Sequence, residues 1–394
     1  MIVLVANLGS TSFKYRLFDM GDETQLACGS IERIGSERSL CRMRVGPFED
    51  ESTCPVANHV EAVNRCLDQL TDRDHGCLSD AAEVSGIGFK TVHGGRVSGV
   101  QRVTNELLDA MQEMASVAPA HNPPYIGAMR LMSQQLPNIP LIAAFETEFH
   151  ATVPERQRRY AVPHQWVEAF HIKRWGFHGA SHRYIAQRTA KLLGRDDLRV
   201  ISCHLGGSSS LCAIHCGASV ATTMGMSPQT GLPQNNRVGD FDPFALPWLM
   251  DRTGKTLQEL LDILANESGL LGLSGSSGDV RDLEAAAIQG DEQAQLALQV
   301  YTTDIRRQLG GLLVELGGAD GIVFTGGIGE NAAGIRAAVC ASLDELGIVL
   351  DSTTNASASG ECDISARKSR TRIWVVPTNE ELIVARQVHQ LLQG

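Results

Sequence analysis

Gly321-Ile-Val-Phe-Thr-Gly-Gly-Ile-Gly-Glu-Asn331 is the stretch of the sequence that decides the fold. The apolar run Gly321–Thr325 predicts a buried strand, and the glycines after it predict a turn that leads into a helix over residues 332–346. Glycine lets the backbone approach a ligand closely, and a helix N-terminus beyond such a turn favours phosphate. The stretch matches neither the dinucleotide fingerprint G-x-G-x-x-G nor the P-loop. It therefore predicts a strand, a turn and a helix that form a candidate nucleotide-binding element.

The length and charge of the chain limit its class. A chain of 394 residues is longer than one hydrophobic core usually supports, which predicts two domains. A hydrophobic content of 43% and a charged content of 20% are typical of a soluble globular protein. The net charge of -11 argues against general binding to nucleic acid or anionic membranes, but it allows a local basic site for a small anion. We therefore expect small-molecule partners, no nucleic acid and no membrane.

The cysteines are scattered without a C-x-x-C pair, and Met1-Ile-Val-Leu-Val-Ala6 lacks the basic region of a secretion signal. This pattern predicts reduced thiols in a cytoplasmic protein. A group of cysteines near two histidines could indicate a zinc site, but the spacing of the group fits alternating strand faces better than tetrahedral ligation. The group consists of Cys203, Cys212, Cys216, His204 and His215.

A polar hairpin motif occurs twice. Asn7-Leu-Gly-Ser-Thr-Ser-Phe-Lys14 connects a strand over residues 2–6 to one over residues 15–18, and Val200-Ile-Ser-Cys-His-Leu-Gly-Gly-Ser-Ser-Ser210 leads into a strand over residues 211–214. Leu8, Gly9 and Ser12 align with Leu205, Gly206 and Ser209. The match indicates either one domain plan used twice, with a polar loop suited to phosphate oxygens, or a chance identity.

The remaining segments alternate between strand and helix patterns, which predicts the α/β class. Thr104 is expected to cap its helix, and the dipeptide Pro123-Pro124 is expected to exclude helix before residue 126. The predicted strands are 87–92, 139–145 and 373–376, and the predicted helices are 105–117, 126–135, 181–193, 257–265, 293–316 and 380–392, with an irregular segment over 222–243.

Polar side chains stand where predicted strands or glycine turns end, which is the usual location of ligands in open α/β sheets. Each has an alternative structural role, such as a turn residue, a hydrogen-bonded core histidine, a helix cap or a surface charge. Phosphoryl transfer requires cations, hydrogen-bond donors and carboxylates that hold Mg²⁺. The cations available are Lys14, Lys90 and Arg237, the donors are His121 and His178, and the carboxylates are Glu146 and Glu380.

These residues lie in blocks that resemble the acetate kinase family, a branch of the acetate and sugar kinase, Hsp70 and actin superfamily. The resemblance implies two duplicated actin-like (ribonuclease H-like) ATPase domains with a cleft between them. Residues 1–150 with 381–394 would form the acyl and phosphate domain, and residues 151–380 the nucleotide-binding domain. The blocks are Asn7 to Lys14, Val92-His-Gly-Gly95, Ala118-Pro-Ala-His-Asn-Pro123, Phe145-Glu-Thr-Glu-Phe-His150, Gly176-Phe-His-Gly-Ala-Ser-His182, His204-Leu-Gly206, Arg237-Val-Gly-Asp-Phe-Asp-Pro243, Asp279-Val-Arg281, Gly326 to Asn331 and Pro377-Thr-Asn-Glu-Glu381.

The resemblance also implies the reaction, which is direct in-line transfer of a phosphoryl group from ATP to acetate, giving acetyl phosphate and ADP with Mg²⁺ or Mn²⁺. It implies a homodimer. The implied catalytic residues are Asn7, Lys14, Lys90, His121, Glu146, His178 and Arg237, and the metal-binding residues are Asn7 and Glu380. ATP would contact His204, Gly206, Gly207, Asp279, Val280, Arg281, Gly327, Ile328, Gly329 and Asn331, and the acyl group would contact Val92, Ala120, Phe177 and Pro228.

Four positions depart from the family pattern. Lys90 replaces an arginine and loses its planar fork, and Glu146 replaces an aspartate and is one methylene longer. Gly207 replaces an asparagine and removes one phosphate donor. Ala120 replaces a leucine and enlarges the acyl pocket, where one methylene is worth about 1–3 kcal/mol of discrimination. The loop Leu232-Pro-Gln-Asn-Asn-Arg237 is also unusual for the family.

The departures leave alternative functions open. Ala120 favours a kinase for propionate or another short carboxylate. The changes at Lys90, Glu146 and Gly207 favour a nucleotide-binding paralogue without catalysis, although Arg237, His178 and Glu380 are all retained. A pyrophosphate donor is a further alternative, against which the predicted adenosine pocket argues.

Overall fold

The computed structural model describes residues 1–9, 11–119 and 121–394. In chain order, the strands are β1 (Ile2–Leu8), β2 (Ser12–Asp19), β3 (Thr24–Glu32), β4 (Ser39–Val45), β5 (Phe48–Cys54), β6 (Val84–Thr91), β7 (Val100–Arg102), β8 (Leu141–Phe145), β9 (Arg199–Leu205), β10 (Ser209–His215), β11 (Ala218–Thr222), β12 (Gly321–Thr325), β13 (Cys362–Asp363) and β14 (Arg372–Val375). The helices are α1 (His59–Leu70), α2 (Asn105–Glu113), α3 (Asn122–Gln135), α4 (Glu155–Arg158), α5 (His164–Phe170), α6 (Gly179–Leu193), α7 (Ala245–Thr253), α8 (Leu257–Asn266), α9 (Gly269–Ser274), α10 (Val280–Ile288), α11 (Glu292–Leu316), α12 (Gly326–Asn331), α13 (Ala333–Cys340), α14 (Ser352–Ser357) and α15 (Glu380–Gln393). Short 3₁₀ turns cover Ala81–Glu83, Glu148–Thr152 and Asp344–Leu346.

The chain divides into two units, each with its own sheet. Unit 1 consists of Met1–Glu148 and Asn379–Gly394, and unit 2 consists of Phe149–Thr378. The boundaries predicted from the sequence, at 150 and 380, each lie two residues later. As a result, Glu380 and the whole of α15 lie in unit 1, whereas the predicted boundary placed Glu380 in the nucleotide-binding domain.

The two sheets share one topology. The strand order is β5-β4-β3-β2-β1-β6-β8-β7 in unit 1 and β11-β10-β9-β12-β14-β13 in unit 2. In unit 1, β1, β2 and β3 are antiparallel neighbours, β1 pairs in parallel with β6, and β6 pairs in parallel with β8. In unit 2, β9, β10 and β11 are antiparallel neighbours, β9 pairs in parallel with β12, and β12 pairs in parallel with β14. Unit 1 has two additional strands, β4 and β5, at the edge beyond β3. This repeated order confirms that the two hairpins open two copies of one α/β domain plan.

The two hairpins differ slightly in register. Leu8 pairs with Phe13 in the first, whereas Leu205 pairs with Ser209 in the second, so the second loop is one residue shorter. Both loops are closed by the aligned glycine and serine. The Gly9 N–H donates to Ser12 O at 2.8 Å, and the Gly206 N–H donates to Ser209 Oγ at 3.3 Å.

In unit 1, the faces of β1 are covered by different helices. Leu4 and Ala6 belong to the core that includes α1 and α3, and Val3 and Val5 pack with Val384 of α15. The alternation follows from the period of two in a strand. Packing of α15 on this face places its first residue, Glu380, near the carboxyl end of β6.

Two helix starts differ from the sequence prediction. α3 begins at Asn122 because both prolines occupy its first turn, where an intrahelical N–H is not needed. The glycine stretch Gly326–Asn331 is itself a helix, and Ala332 separates it from α13. The buried Arg336 explains this break, since its Nη1 donates to Gly329 O and Glu330 O, each at 2.9 Å, and so satisfies the last carbonyls of α12.

The predicted helix over residues 105–117 ends at Glu113, and the helix predicted from residue 181 begins at Gly179. The Thr104 cap is confirmed, with the Leu107 N–H donating to Thr104 Oγ1 at 3.2 Å. Within the described ranges, no helix has both the length and the apolar character needed to cross a membrane.

Candidate active site

A charged cluster lies in unit 1, where β6 and β8 end and α15 begins. Lys90 Nζ donates to the carboxylate of Glu380. Glu146 follows β8, is 4% exposed, and is fixed by its own N–H, which donates to Thr91 O at 2.8 Å. Burial by itself would lower the pKa of Lys90, but the carboxylates of Glu380 and Glu146 outweigh that effect and raise the pKa. Lys90 is therefore positively charged and is stabilised by two buried carboxylates.

Tyr125, which was not predicted as a site residue, connects this cluster to the first hairpin. Its hydroxyl donates to Asn7 Oδ1 at 3.2 Å and accepts the Leu8 N–H at 3.1 Å. Burial raises the pKa of Tyr125, and among the nearby charges Glu146 also raises it. The hydroxyl therefore stays protonated and orients the Asn7 side chain. Its sequence signal was its position four residues after His121, one helical turn into α3.

Other predicted residues of unit 1 surround the same strand ends. His121 occupies the N-cap position of α3, and Val92 is buried directly after β6. Asn122 is fully buried and donates through Nδ2 to His93 O at 2.8 Å and to Met111 O at 2.7 Å, which ties the start of α3 to the segment after β6. Ala120, predicted to line the acyl pocket, lies outside the described residues.

Lys14 has a different environment from the buried cluster. It pairs with Asn7 across β1 and β2, but its side chain is exposed. It lines a surface cavity of about 710 Å³ together with Arg16, Arg42 and Glu49. The structure thus places Lys14 on the hairpin that carries Asn7 without burying it beside Lys90.

A network of histidines and serines lies in unit 2, between α6 and the sheet. A hydrogen bond of 2.8 Å joins His178 Nδ1 to Ser210 Oγ, and one of 2.9 Å joins the same oxygen to His182 Nε2. His182 Nδ1 is 2.8 Å from Ser202 Oγ. Burial lowers the pKa of His182 well below its usual range, so the ring is neutral and has one donor and one acceptor nitrogen. Because both rings are hydrogen-bonded to the Ser210 hydroxyl, the choice of protonated nitrogen on His182 influences which nitrogen of His178 is protonated.

His204 completes this network. Its ring stacks on that of His178 with centroids 4.2 Å apart, and its Nδ1 is 2.8 Å from Ser181 Oγ. His178 and His204 were predicted from the sequence as site residues, whereas the serines and His182 were not. The available signals were the helical spacing of His178 and His182, which is four residues, and the alternation of Ser202 and His204 on one strand face.

A pH dependence of stability follows from the neighbouring histidine His150. Its Nε2 donates to Phe177 O at 2.9 Å, and burial lowers its pKa to about 4. Between pH 6.5 and 4 the unfolded chain binds a proton here and the native protein does not. The free energy of unfolding should therefore fall as pH drops through this window, by about 1.4 kcal/mol per pH unit from this residue. Urea unfolding at pH 7, 6 and 5 measures the slope.

His150→Gln is the matched variant for this prediction, because a carboxamide can replace both hydrogen bonds, to Phe177 O and to Ser219 Oγ, without titrating. In this variant the free energy of unfolding should change less with pH than in the unaltered protein, by the amount that corresponds to the uptake of one proton. Equal slopes for the two proteins would contradict the assignment.

Arg237 lies in the loop that precedes α7 and is held by neutral groups. Its Nη1 donates to Gln234 Oε1 at 3.2 Å, to Pro228 O at 3.4 Å and to Ser208 Oγ at 3.5 Å. Burial lowers the pKa of Arg237. Among the described residues, the partners of this guanidinium are all neutral oxygens, and no carboxylate lies at ion-pair distance from it. A partly buried cation without a counterion is suited to an anionic ligand.

Gln234 is the positioning residue of that loop and was not predicted. It is fully buried, accepts Ser208 Oγ–H at 2.8 Å, and donates through Nε2 to Pro228 O at 2.8 Å. It therefore joins the Arg237 loop to the hairpin loop after β9. Pro228, predicted to contact the acyl group, is buried beside Arg237, and the Phe177 side chain is also buried.

The two glycine turns of unit 2 lie side by side. A Cβ on Gly206 would be 3.9 Å from Gly327 N, and a Cβ on Gly326 would be 2.7 Å from Leu205 O. Gly326 also has a φ of 77°, so only glycine fits both the conformation and the space. The predicted phosphate loop at Gly206 and Gly207 thus borders the glycine stretch from which the fold was predicted.

The remaining nucleotide candidates differ in exposure. Asp279 caps α10 and forms an ion pair with Arg281, with Arg281 Nη2 2.6 Å from Asp279 Oδ2. Val280 packs in the core of unit 2, which leaves its backbone rather than its side chain for a ligand. Asn331 Nδ2 donates to Gly327 O at 2.8 Å, so it supports the turn. Ile328 and Gly329 belong to the same short helix, α12.

The donor chemistry of unit 1 fits a hard divalent cation. Among the described residues no group of three or more His, Cys, Asp or Glu side chains has the geometry of a metal site. Glu146 and Glu380 are nonetheless both buried, and together with Lys90 they leave an excess of negative charge. Oxygen donors and excess negative charge are what Mg²⁺ requires.

Two copies of one α/β plan, each opened by a polar hairpin, define a protein of the duplicated actin-like ATPase fold. The match to the acetokinase family model extends over residues 2–386, and the chain belongs to that family. It is 42% identical to the acetate kinase of Heliobacterium modesticaldum, and the match covers 100% of both chains. It is 43% identical to the propionate kinase of Citrobacter rodentium, covering 99% of this chain and 96% of that one.

Solved structures agree with the sequence relatives. The crystal structure of the acetate kinase of Porphyromonas gingivalis is similar to this chain with a TM-score of 0.90 at 35% identity, covering 99% of each chain. The fold class predicted from the sequence is therefore confirmed.

Proposed function

We propose that this protein is an acetate kinase that transfers a phosphoryl group reversibly between ATP and acetate, giving acetyl phosphate and ADP. The observation that carries the proposal is the family match over residues 2–386. As a member of this family the chain is a phosphotransferase with a carboxyl group as acceptor, and its nucleotide substrates are ATP and ADP.

The transfer is a direct in-line displacement. A carboxylate oxygen of acetate attacks the γ-phosphorus of ATP, and the bond between that phosphorus and the bridging oxygen breaks as ADP leaves with the electron pair. Charge spreads over the equatorial oxygens in the transition state. Arg237 and His178 stabilise this charge, because Arg237 is a cation without a carboxylate partner and His178 is oriented by Ser210.

The groups of unit 1 hold the acceptor and the transferring phosphoryl group. Asn7, fixed by Tyr125, contacts the phosphoryl group, and Lys90 and His121 bind carboxylate or phosphate oxygens. Lys14 contributes positive charge from the next strand of the hairpin. Bound Mg²⁺ would offset negative charge on the phosphates, and Glu380 and Asn7, with Glu146 nearby, are the residues that would hold it.

The nucleotide is held by the two glycine turns and the start of α10. Their backbone N–H groups donate to phosphate oxygens, and Asp279 and Arg281 border the adenosine. The support for this placement is the proximity of the two turns, since a Cβ built on Gly206 would lie 3.9 Å from Gly327 N. The residues assigned to ATP are His204, Gly206, Gly207, Asp279, Val280, Arg281, Gly327, Ile328, Gly329 and Asn331.

Propionate is the second candidate acceptor, and a specific observation favours it. A relative named propionate kinase is 43% identical to this chain. The residues assigned to the acyl group are Val92 of unit 1 and Phe177 and Pro228 of unit 2, which are buried within their own units, and Ala120, which lies outside the described residues. The two candidates differ in the length of the acyl chain that the protein accepts.

A hydroxamate assay with ATP, Mg²⁺ and acetate, propionate or butyrate tests the function. We expect kcat/KM to be largest for acetate. A larger value for propionate would move the assignment to the second candidate. Formation of no acyl phosphate at millimolar carboxylate, in a sample that still binds ATP, would support the non-catalytic paralogue.

A homodimer in the cytoplasm completes the proposal. The free thiols at all ten cysteines suit a reducing compartment. The dimer is supported by α7, which carries large apolar side chains but has no buried residue. Phe244 is 85% exposed and Trp248 is 60% exposed, and Leu257 and Leu261 of α8 are exposed as well. Contiguous exposed apolar side chains mark an interface.

Trp248→Glu should convert this dimer to a monomer, because the substitution places a charge in the centre of the apolar face. Sedimentation velocity at micromolar protein measures the change, and we expect the dimer dissociation constant to rise about 100-fold or more. Trp166→Glu, at an exposed tryptophan of α5, is the matched control. A Trp248→Glu protein that remains fully dimeric would exclude this face as the interface.

A further inference from the structure

Asn235 lies over the glycine loop that the proposed function assigns to phosphate. Its backbone N–H donates to Gly207 O at 3.1 Å. A Cβ built on Gly207 would be 3.4 Å from Asn235 Nδ2 and 3.8 Å from its Cγ. The carboxamide therefore borders the space that a side chain at residue 207 would enter, while Gly207 itself brings no side chain to the loop.

The position of Asn235 is fixed from two further sides. Its carbonyl oxygen accepts the Leu271 N–H at 2.8 Å. A Cβ on Gly278 would be 2.5 Å from that oxygen and 3.2 Å from the Asn235 Cβ, so the backbones pack without room for a side chain there. Because Gly278 directly precedes Asp279, Asn235 lies between the segments assigned to the phosphates and to the adenosine.

Within the described part of the chain, one polar atom of the Asn235 side chain has no hydrogen-bond partner. Its Oδ1 is buried and has no hydrogen-bond donor among the residues that the structure describes. A buried acceptor without a partner is unfavourable and indicates a donor supplied from outside the chain. The loop also carries Arg237, two residues on, whose guanidinium is held towards Ser208 of the same glycine loop.

We propose that the Asn235 carboxamide is a nucleotide-binding group, with Nδ2 donating to a phosphate oxygen beside Gly207 and Oδ1 accepting from a hydroxyl of the same ligand. It supplies from a neighbouring loop the side-chain amide that residue 207 lacks. This inference rests on the proposed function, because it requires a nucleotide at the glycine loop.

Calorimetric titration with ADP and Mg²⁺ tests the assignment without turnover. Asn235→Ala should weaken ADP binding about tenfold or more, as expected for loss of a hydrogen bond to a charged group. Asn236→Ala, the next residue, should bind within about twofold of the unaltered protein. The double variant Asn235→Ala/Gly207→Asn restores a side-chain amide, now carried by residue 207. Its ADP affinity should recover to within about threefold of that of the unaltered protein.

Binding by Asn235→Ala within twofold of the unaltered protein would overturn the proposal, and so would a double variant that recovers nothing. If Asn235→Ala does not give a native circular dichroism spectrum, Asn235→Asp replaces it. Its shape is the same, and its charge should weaken ADP binding more strongly at low salt than at high salt. Acyl phosphate formation by the unaltered protein is measured in parallel. Its absence alongside Asn235-dependent ADP binding would overturn the kinase and leave this assignment standing.

Discussion

Glu380→Gln is expected to lower kcat/KM for acetyl phosphate formation by about 1,000-fold, as loss of a group that stabilises transferring charge typically does. Glu380 is the first residue of α15; the residue is 8% exposed, and its carboxylate accepts from Lys90 Nζ. Glutamine keeps the size of the side chain but removes the charge that a divalent cation requires. The variant should therefore also bind Mn²⁺ more weakly in the presence of ADP, which the electron paramagnetic resonance signal of free Mn²⁺ measures.

The matched control for this prediction is Glu381→Gln. Glu381 is the next residue of α15, and its carboxylate is 3.6 Å from Arg16. It should keep kcat/KM within about threefold, because a partly exposed ion pair contributes little. If Glu380→Gln keeps more than a tenth of the activity and binds Mn²⁺ normally, then Glu380 acts only as the counterion of Lys90.

Arg237→Ala is expected to lower kcat by about 10³- to 10⁴-fold, in the range found for arginines that stabilise phosphoryl transfer. The physical reason is its environment, in which neutral oxygens orient the guanidinium and leave its charge for the transition state. Arg237→Lys keeps the charge but loses the planar fork, so it should recover only part of the rate. Steady-state kinetics of acetyl phosphate formation separates kcat from the two KM values.

Arg307→Ala is the control for this loss of charge, because Arg307 lies in the same unit, is 71% exposed and pairs with Asp304. Its kcat should be unchanged. A second test uses the residue that holds Arg237. Gln234→Ala should lower kcat about tenfold without removing any charge, because it removes a hydrogen bond that orients the guanidinium. An Arg237→Ala enzyme with kcat within tenfold of the original would show that the guanidinium does not act on the transferring group.

The local periodicity of the sequence was enough for most elements. The strand Gly321–Thr325 and the helices over residues 257–265, 293–316 and 380–392 were predicted to within two residues at each end. These elements could be predicted because a fully apolar run, or an apolar stripe with a helix cap, is a pattern of residues that are neighbours in the sequence. The glycine stretch after β12 was predicted as a turn and is a helix, because Arg336 stabilises its end from seven residues away.

Site residues could be predicted from the sequence when they lie at the end of a strand within a family motif, as Asn7, Glu146 and His204 do. Tyr125, Ser210 and Gln234 were missed because each acts through a partner far away in the chain. Tyr125 reaches Asn7, Ser210 reaches His178, and Gln234 reaches Ser208. No local pattern encodes such a contact.

The sequence by itself determined the family, the α/β class and the repeated hairpin, because motif order, composition and periodicity are properties of the linear chain. Only the tertiary structure decided that Lys90 is paired with Glu380, which is 290 residues away, and that an asparagine from another loop lies over Gly207. Both outcomes depend on the packing of distant segments, through α15 on the β1 sheet and through Gly278 against Asn235. The free energy of such packing depends on which surfaces meet, and that is fixed only when the whole unit has folded.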